Sequence, residues 1–331
     1  MVEVVNLTKR YGDTLAVDGV TFQAREGEIL GFLGKNGAGK TTTMRMMTGF
    51  MTPTSGTVRV NGHDIREESV EARRQIGYLP ETAPIYDDMS VQGYLAFCAR
   101  LRGVSNRELP ERMDRAMRAV NIHERRTWII SKLSKGLRRR VGLAQSLIHN
   151  PKVLILDEPT EGLDPEQIIE IRNLIRGLRG DHTVILSTHI LPEAQMLADR
   201  IVIIHEGRIV AVDTTENLTA AVQRAQRLRV QVDGPAEAVR KKLESVAGVQ
   251  RVETLDSDRG VRFIVESARD TDIREKMALA VVNAGWGLLE LERLEPTLED
   301  VFLHLTRRNQ VDARPAEPVL VAAAASEGDE A

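Results

Sequence analysis

The nine residues GKNGAGKTT, Gly34 to Thr42, fit the pattern G-x-x-x-x-G-K-[ST] of a loop that grips phosphate groups. Glycines at Gly34, Gly37 and Gly39 let the backbone curl around a polyphosphate, so that N–H groups from Asn36 through Thr42 point at its oxygens. Lys40 is placed to reach the outer phosphates, and the Thr41 hydroxyl to hold Mg²⁺. A second segment, VLILDEP (Val153 to Pro159), is an apolar strand that ends on two carboxylates. Beside a phosphate loop, Asp157 suits Mg²⁺, and Glu158 stands one position further out, where it could take a proton from an attacking water. Read alone, the same pair would serve as a strand end and helix cap before Pro159. A third segment, LSKGLRRRVGLAQSL (Leu133 to Leu147), has Ser134 as an N-cap and Gly136 where a backbone could come close. A helix starting there offers N–H groups to a second anion. It reads equally as a capped amphipathic helix whose arginines, Arg138 to Arg140, form a solvated face.

These residues need a scaffold. Apolar runs at Val2–Leu7, Val20–Ala24, Ile29–Leu33, Thr57–Val60, Val153–Leu156, Val184–Ser187, Ile201–Ile204 and Ile209–Val212 predict strands. Helices are expected over Thr43–Phe50, Glu67–Ile76, Val91–Leu101, Glu108–Val120, Gly136–His149 and Pro165–Leu178. The alternation predicts an α/β fold with a mostly parallel sheet covered on both faces. The early strands, with a turn at Asn61-Gly62, suggest an antiparallel addition. After about residue 220 the order becomes βαββαβ plus one helix, with Val249–Leu255 and Val261–Glu266 as strands joined by a turn at Asp256–Gly260, which predicts a small α+β, ferredoxin-like domain over residues 221–308. Prolines, an alanine run and an acidic end over residues 309–331 predict a disordered tail.

Composition narrows the function. The net charge of −3 gives no electrostatic case for nucleic acid. One cysteine, Cys98, rules out an internal disulfide and a cysteine-built zinc site. The start of the chain lacks a signal-peptide core, and no run of about 18 apolar residues occurs. A cytoplasmic protein is expected, with any membrane span supplied by another chain.

Over residues 1–220 the chain resembles the ATP-binding subunit of an ABC transporter, a P-loop NTPase with a RecA-like core, an antiparallel β subdomain and an α-helical subdomain. GKNGAGKTT resembles the Walker A loop, LSKGL the signature motif and VLILDEP the Walker B strand. EGLDP (Glu161 to Pro165) resembles the D-loop, STHIL (Ser187 to Leu191) the H-loop, and RYGDTLAVDGV the segment that presents an aromatic, here Tyr11, to adenine. The resemblance implies a head-to-tail homodimer that binds ATP and Mg²⁺ and hydrolyses ATP. Ser134 and Gly136 of one copy would touch the γ-phosphate held by Lys40 of the other. His189 would help hold the attacking water, and Asp164 would sit at the dimer interface. Without the resemblance, His189 reads as a structural histidine, Asp164 as a helix cap and Tyr11 as a turn aromatic. Three positions depart from the family's habit: Lys35 for proline, Glu81 for glutamine, and Leu137 for a polar residue. Glu81 would still suit Mg²⁺ or water. LPE, LSKG and the ending LEPTLEDVFLHLT resemble ABC-2 type exporters, including drug-efflux and gliding-motility subunits. That implies a separate multi-span permease, approached through Thr82–Ser90, with the chain peripheral on the cytoplasmic membrane face. A soluble ABC-type ATPase on DNA or ribosomes, or a regulatory ATP switch, is the competing reading.

Overall fold

Short strands that are apolar at every position can only be buried on both faces, and a parallel sheet provides that setting. In the computed structural model, which describes residues 1–222, 225–255, 260–268, 272–294 and 297–311, such runs form the centre of the larger of two units. That unit is built on residues 1–215, and the smaller one spans residues 216–305.

The larger unit opens with β1 (Val2–Tyr11) and β2 (Thr14–Ala24), then β3 (Ile29–Leu33) and helix α1 (Lys40–Met47). β4 (Ser55–Val60) and β5 (His63–Asp64) follow, joined by Asn61 and Gly62 at positive φ, the two-residue hairpin that this dipeptide favours. Next come α2 (Ser69–Arg74), β6 (Ile76–Leu79), α3 (Val91–Leu101), α4 (Leu109–Ala119), two 3-10 turns, and α5 (Lys135–Leu147). The unit closes with β7 (Val153–Asp157), α6 (Pro165–Gly177), β8 (Thr183–Thr188), α7 (Leu191–Leu197), β9 (Arg200–His205) and β10 (Arg208–Asp213).

Six strands form one sheet in the order β10-β9-β3-β8-β7-β6, parallel except at β10. Alternate residues of β7 enter different cores. Leu154 and Leu156 pack with α3, α4 and α5, whereas Val153 and Ile155 pack with α1 and the antiparallel sheet β2-β1-β4-β5. This is the period of two expected for a strand between two layers.

Two expectations are corrected. The helix expected over Glu67–Ile76 ends at Arg74, and Ile76 instead begins β6. That strand is hard to read because IGYL interrupts its aliphatics with Gly77, where α5 packs so closely that a Cβ would lie 2.0 Å from the Ser146 carbonyl. The helix expected over Thr43–Phe50 starts at Lys40 and stops at Met47, because the glycine loop feeds straight into its first turn.

The smaller unit contains α8 (Thr215–Val222), β11 (Ala225–Asp233), α9 (Ala236–Glu244), β12 (Val249–Leu255), β13 (Val261–Ala268), α10 (Arg274–Asn283), β14 (Gly287–Leu294) and the first part of α11 (Leu298–Val311). Its sheet is antiparallel, in the order β12-β13-β11-β14. Leu228, Val230 and Val232 pack with Val239 and Leu243 of α9 and with Met277 and Val281 of α10. The opposite face carries Arg227 near Glu266 and Arg229 near Glu290 and Glu292. The turn expected at Asp256–Gly260 has residues 256–259 outside the described residues, as is most of the expected tail, residues 312–331; α11 occupies its first positions. Among the described residues, no helix is long and apolar enough to cross a membrane.

Candidate active site

The chain leaves β3 at Leu33, between β8 and β9, and turns at once into the glycine loop. A Cβ on Gly34 would lie 2.6 Å from the Ile204 carbonyl oxygen, so the loop can pass this close to β9 only without a side chain. Gly39 has φ 104°, and a Cβ there would lie 2.8 Å from the Ala16 carbonyl oxygen. Both facts demand glycine. Helix α1 starts at the next residue with no side-chain cap, which leaves its first amides for an anion. The loop borders a cavity of about 320 Å³ lined by Ala16, Asn36, Gly37, Gly39, Lys40, Thr41, Thr42, Glu81, Glu158 and Glu161. Lys40 is 5% exposed, and its ammonium donates to the carbonyls of Gly34 at 2.8 Å and Lys35 at 3.2 Å.

Strand β7 delivers the carboxylates. Asp157 is fully buried; its Oδ1 accepts from Ser187 Oγ at 2.6 Å and Thr41 Oγ1 at 3.3 Å, while Oδ2 has no partner. Burial pushes this carboxyl above its usual range, and the neighbouring carboxylates Glu158 and Glu81 add to the rise against the lowering hydrogen bonds. Glu158 lies where the strand breaks, at φ 47°, a conformation that costs a non-glycine residue on the order of 1–3 kcal/mol. Its N–H donates to Ser187 Oγ at 2.9 Å. Its carboxylate is held between Lys40 Nζ at 3.2 Å and His189 Nδ1 at 3.0 Å. Lys40, Thr41, Asp157, Glu158, His189 and Glu81 thus meet at one end of the parallel sheet.

A buried carboxylate oxygen without a partner, beside a threonine hydroxyl, is the hard-oxygen donor set that Mg²⁺ takes, so these residues fit the ion. Among the described residues no three His, Cys, Asp or Glu side chains converge as a cage. A metal here would complete its shell with phosphate and water oxygens, as Mg²⁺ commonly does.

Two buried residues organise the site and were not foreseen. Arg139 of α5 spreads its guanidinium over five backbone carbonyls: Pro80 (2.8 Å), Glu81 (2.5 Å), Asp157 (2.7 Å), Glu158 (2.5 Å) and Pro159 (3.1 Å). Arg140, also buried, donates to the Val120 carbonyl at 3.0 Å and pairs with Glu170. The solvated-face reading of this arginine run is therefore corrected. A helical wheel carried the signal, because Arg139 and Arg140 share the inward stripe with Gly136, Leu143 and Leu147. The second residue, Glu193 of α7, is fully buried and accepts from Thr160 Oγ1 at 2.7 Å and Thr188 Oγ1 at 2.6 Å. It reads in sequence only as an acidic first-turn residue, so no signal marked it.

Four candidates lie outside the cluster around the glycine loop and the end of β7. Ser134 caps α5, its Oγ accepting from Leu137 N–H at 3.3 Å, and Gly136 abuts the Gln167 side chain. Both line a second cavity of about 670 Å³. Asp164 caps α6, accepting from Gln167 N–H at 2.9 Å. Tyr11 ends β1, with its hydroxyl donating to Met51 Sδ at 2.8 Å.

Known proteins resemble this chain over most of its length. Residues 17–161 match the family model for ABC transporters. The chain is 31% identical over 313 residues to the linearmycin resistance ATP-binding protein of Bacillus subtilis, covering 94% of this chain and 100% of that one. It is 36% identical over 303 residues to a daunorubicin resistance ATP-binding protein of Streptomyces coeruleorubidus, covering 90% and 93%. A solved ATP-binding subunit of an ABC transporter superposes with a TM-score of 0.62 at 31% identity, over 67% of this chain and 92% of that one.

Proposed function

This chain belongs to the ABC transporter family of ATP-binding proteins, and from that membership we propose that it is the ATP-hydrolysing motor of an ABC-2 type exporter, acting as a homodimer on a separate transmembrane permease. The observation that carries the reading is the convergence of Lys40 and His189 on the Glu158 carboxylate at the mouth of the glycine loop.

The mechanism follows from charge. The Lys40 ammonium is paired with the Glu158 carboxylate. A bound triphosphate gives Lys40 stronger anionic partners and receives the open amides of the loop and α1. Glu158 is then free to accept the proton of an attacking water, while His189 fixes the carboxylate's orientation through Nδ1. Glu158, at positive φ where the strand breaks, reaches Lys40 at the end of the glycine loop. Thr41 and Asp157 would hold Mg²⁺, which when bound spreads the negative charge developing on the phosphate oxygens. A regulatory switch with little turnover would not need the Glu158–His189 pair.

In this reading Ser134, Gly136 and Asp164 complete the pocket of a second copy, and Tyr11 stacks on adenine. The permease meets the segment after Glu81. There Tyr86 is 53% exposed, with its ring 5.9 Å from Tyr94 and 5.7 Å from the half-exposed Phe97. Such an exposed aromatic group suits a protein partner.

Dilution tests the shared site. Turnover per chain should fall as the purified protein is diluted below its dimer dissociation constant; a strictly monomeric preparation working at full rate would overturn the proposal. Co-purification of a multi-span protein from membranes tests the transport role, and its absence from membranes holding the co-expressed permease would count against it.

A further inference from the structure

The smaller unit ends in two edge strands, β12 and β14, whose charges are arranged in opposite ways. On β12, Gln250, Arg251, Glu253, Thr254 and Leu255 are exposed, and only Val252 in the middle is buried. A groove of about 590 Å³ runs along the strand from Val249 to Thr254, bounded by Arg240 and Glu244 of α9. An unpaired edge beside an open groove is a slot for another strand.

The charges select the strand that fits. A two-fold axis perpendicular to the sheet makes two copies of β12 antiparallel and keeps each side chain on its own face. With the axis on Val252, Arg251 opposes the second copy's Glu253 and Glu253 its Arg251. Moving the axis by one residue sets arginine against arginine or glutamate against glutamate, which is repulsive. The Val252 register also continues the existing pattern, because Arg251 already stands opposite Glu266, and Glu266 opposite Arg227. The other edge lacks this property. On β14, an axis on Glu290, Leu291 or Glu292 always brings glutamate against glutamate.

We propose that β12 is a self-recognition edge, by which the smaller units of two copies of this chain join their sheets in antiparallel register about Val252. The contact is independent of the nucleotide site and belongs to the small, weak class of interface.

Cysteines at Gln250 and Thr254 report the register, since each would lie directly opposite the other across the axis. Oxidation of the full-length Q250C/T254C chain without nucleotide should yield a disulfide-linked dimer. Q250C or T254C alone should not link, because Cys98 is buried and the two copies of either new cysteine sit roughly 13 Å apart along the strand. Sedimentation without nucleotide gives a second reading. Arg251→Glu or Glu253→Arg should each raise the dimer dissociation constant about tenfold, and the R251E/E253R exchange should bring it back near the parent value. The proposal is overturned if the cysteine pair does not link, if the single cysteines link as readily, or if the exchanged variant stays as weak as the single variants. Where association is too weak for sedimentation, the cysteine pair decides alone.

Discussion

Two helices of the larger unit begin where an anion could bind, and they begin differently. Helix α1 has a left-handed glycine in front of it, no capping side chain, and a buried lysine at its first position. Helix α5 has Ser134 in front, already accepting from its first turn, and only its start, at Ser134 and Lys135, is exposed, with Lys135 reaching towards Gly162. The first start is kept open by backbone geometry, and its lysine is paired with Glu158 of the same chain. The second is closed by its own serine through a long bond of 3.3 Å. In the proposed reading, the start that would serve a second copy keeps its first-turn donor in a long bond that a phosphate could replace.

The hardest test of this contrast is at the first start. Glu158→Gln should retain ATP binding but lower turnover by at least about 100-fold, and ATP should hold the variant as a dimer. Phosphate release and sedimentation with ATP check this, and unimpaired release would remove Glu158 from its role. Mixing sharpens the comparison. Lys40→Ala spoils the first start and Ser134→Arg the second, so each protein alone should be inactive. A mixture forms hybrid dimers with one intact composite site, and should recover activity on the order of a quarter of the parent's, given random pairing of two-fold symmetric dimers. No recovery would mean that the two starts do not serve one site.

Smaller effects concern stability. Arg139→Met leaves five carbonyls without their donor and should cost about 3 kcal/mol or more in chemical denaturation. Gly39→Ala, strained by its φ and its contact with Ala16, should cost about 1–3 kcal/mol and weaken nucleotide binding. The smallest change is Ser134→Ala, which removes the cap of α5 for about 1 kcal/mol. A much larger loss would show that this start is as tightly built as the first.

Much of the first region was readable because physics leaves little choice there. A glycine loop between an apolar strand and a helix has one economical shape, and VLILD can be buried only in the middle of a sheet. The Val249–Leu255 strand was legible from end to end because its turn and helix neighbours are sharply marked. Strand β6 was not, since Gly77 and Tyr78 break its apolar pattern and its burial depends on α5 lying against it. Arg139 was missed for a related reason. Charge suggests water, and only the distant carbonyls of two other segments make its burial favourable. The assignment of Tyr11 to adenine came from resemblance alone, and its observed bond to Met51 is one that no spacing rule anticipates.

The guanidinium of Arg139 also has a mechanical consequence. It fastens three stretches of chain, the start of the loop after β6, the strand end bearing Asp157 and Glu158, and helix α5, to a single rigid hub. Pulling on any one of them strains the other two, because one guanidinium bonds carbonyls in both other stretches at once. A load applied at the loop is therefore felt at the peptide of Glu158 through one residue's arm, with no relay of intermediates.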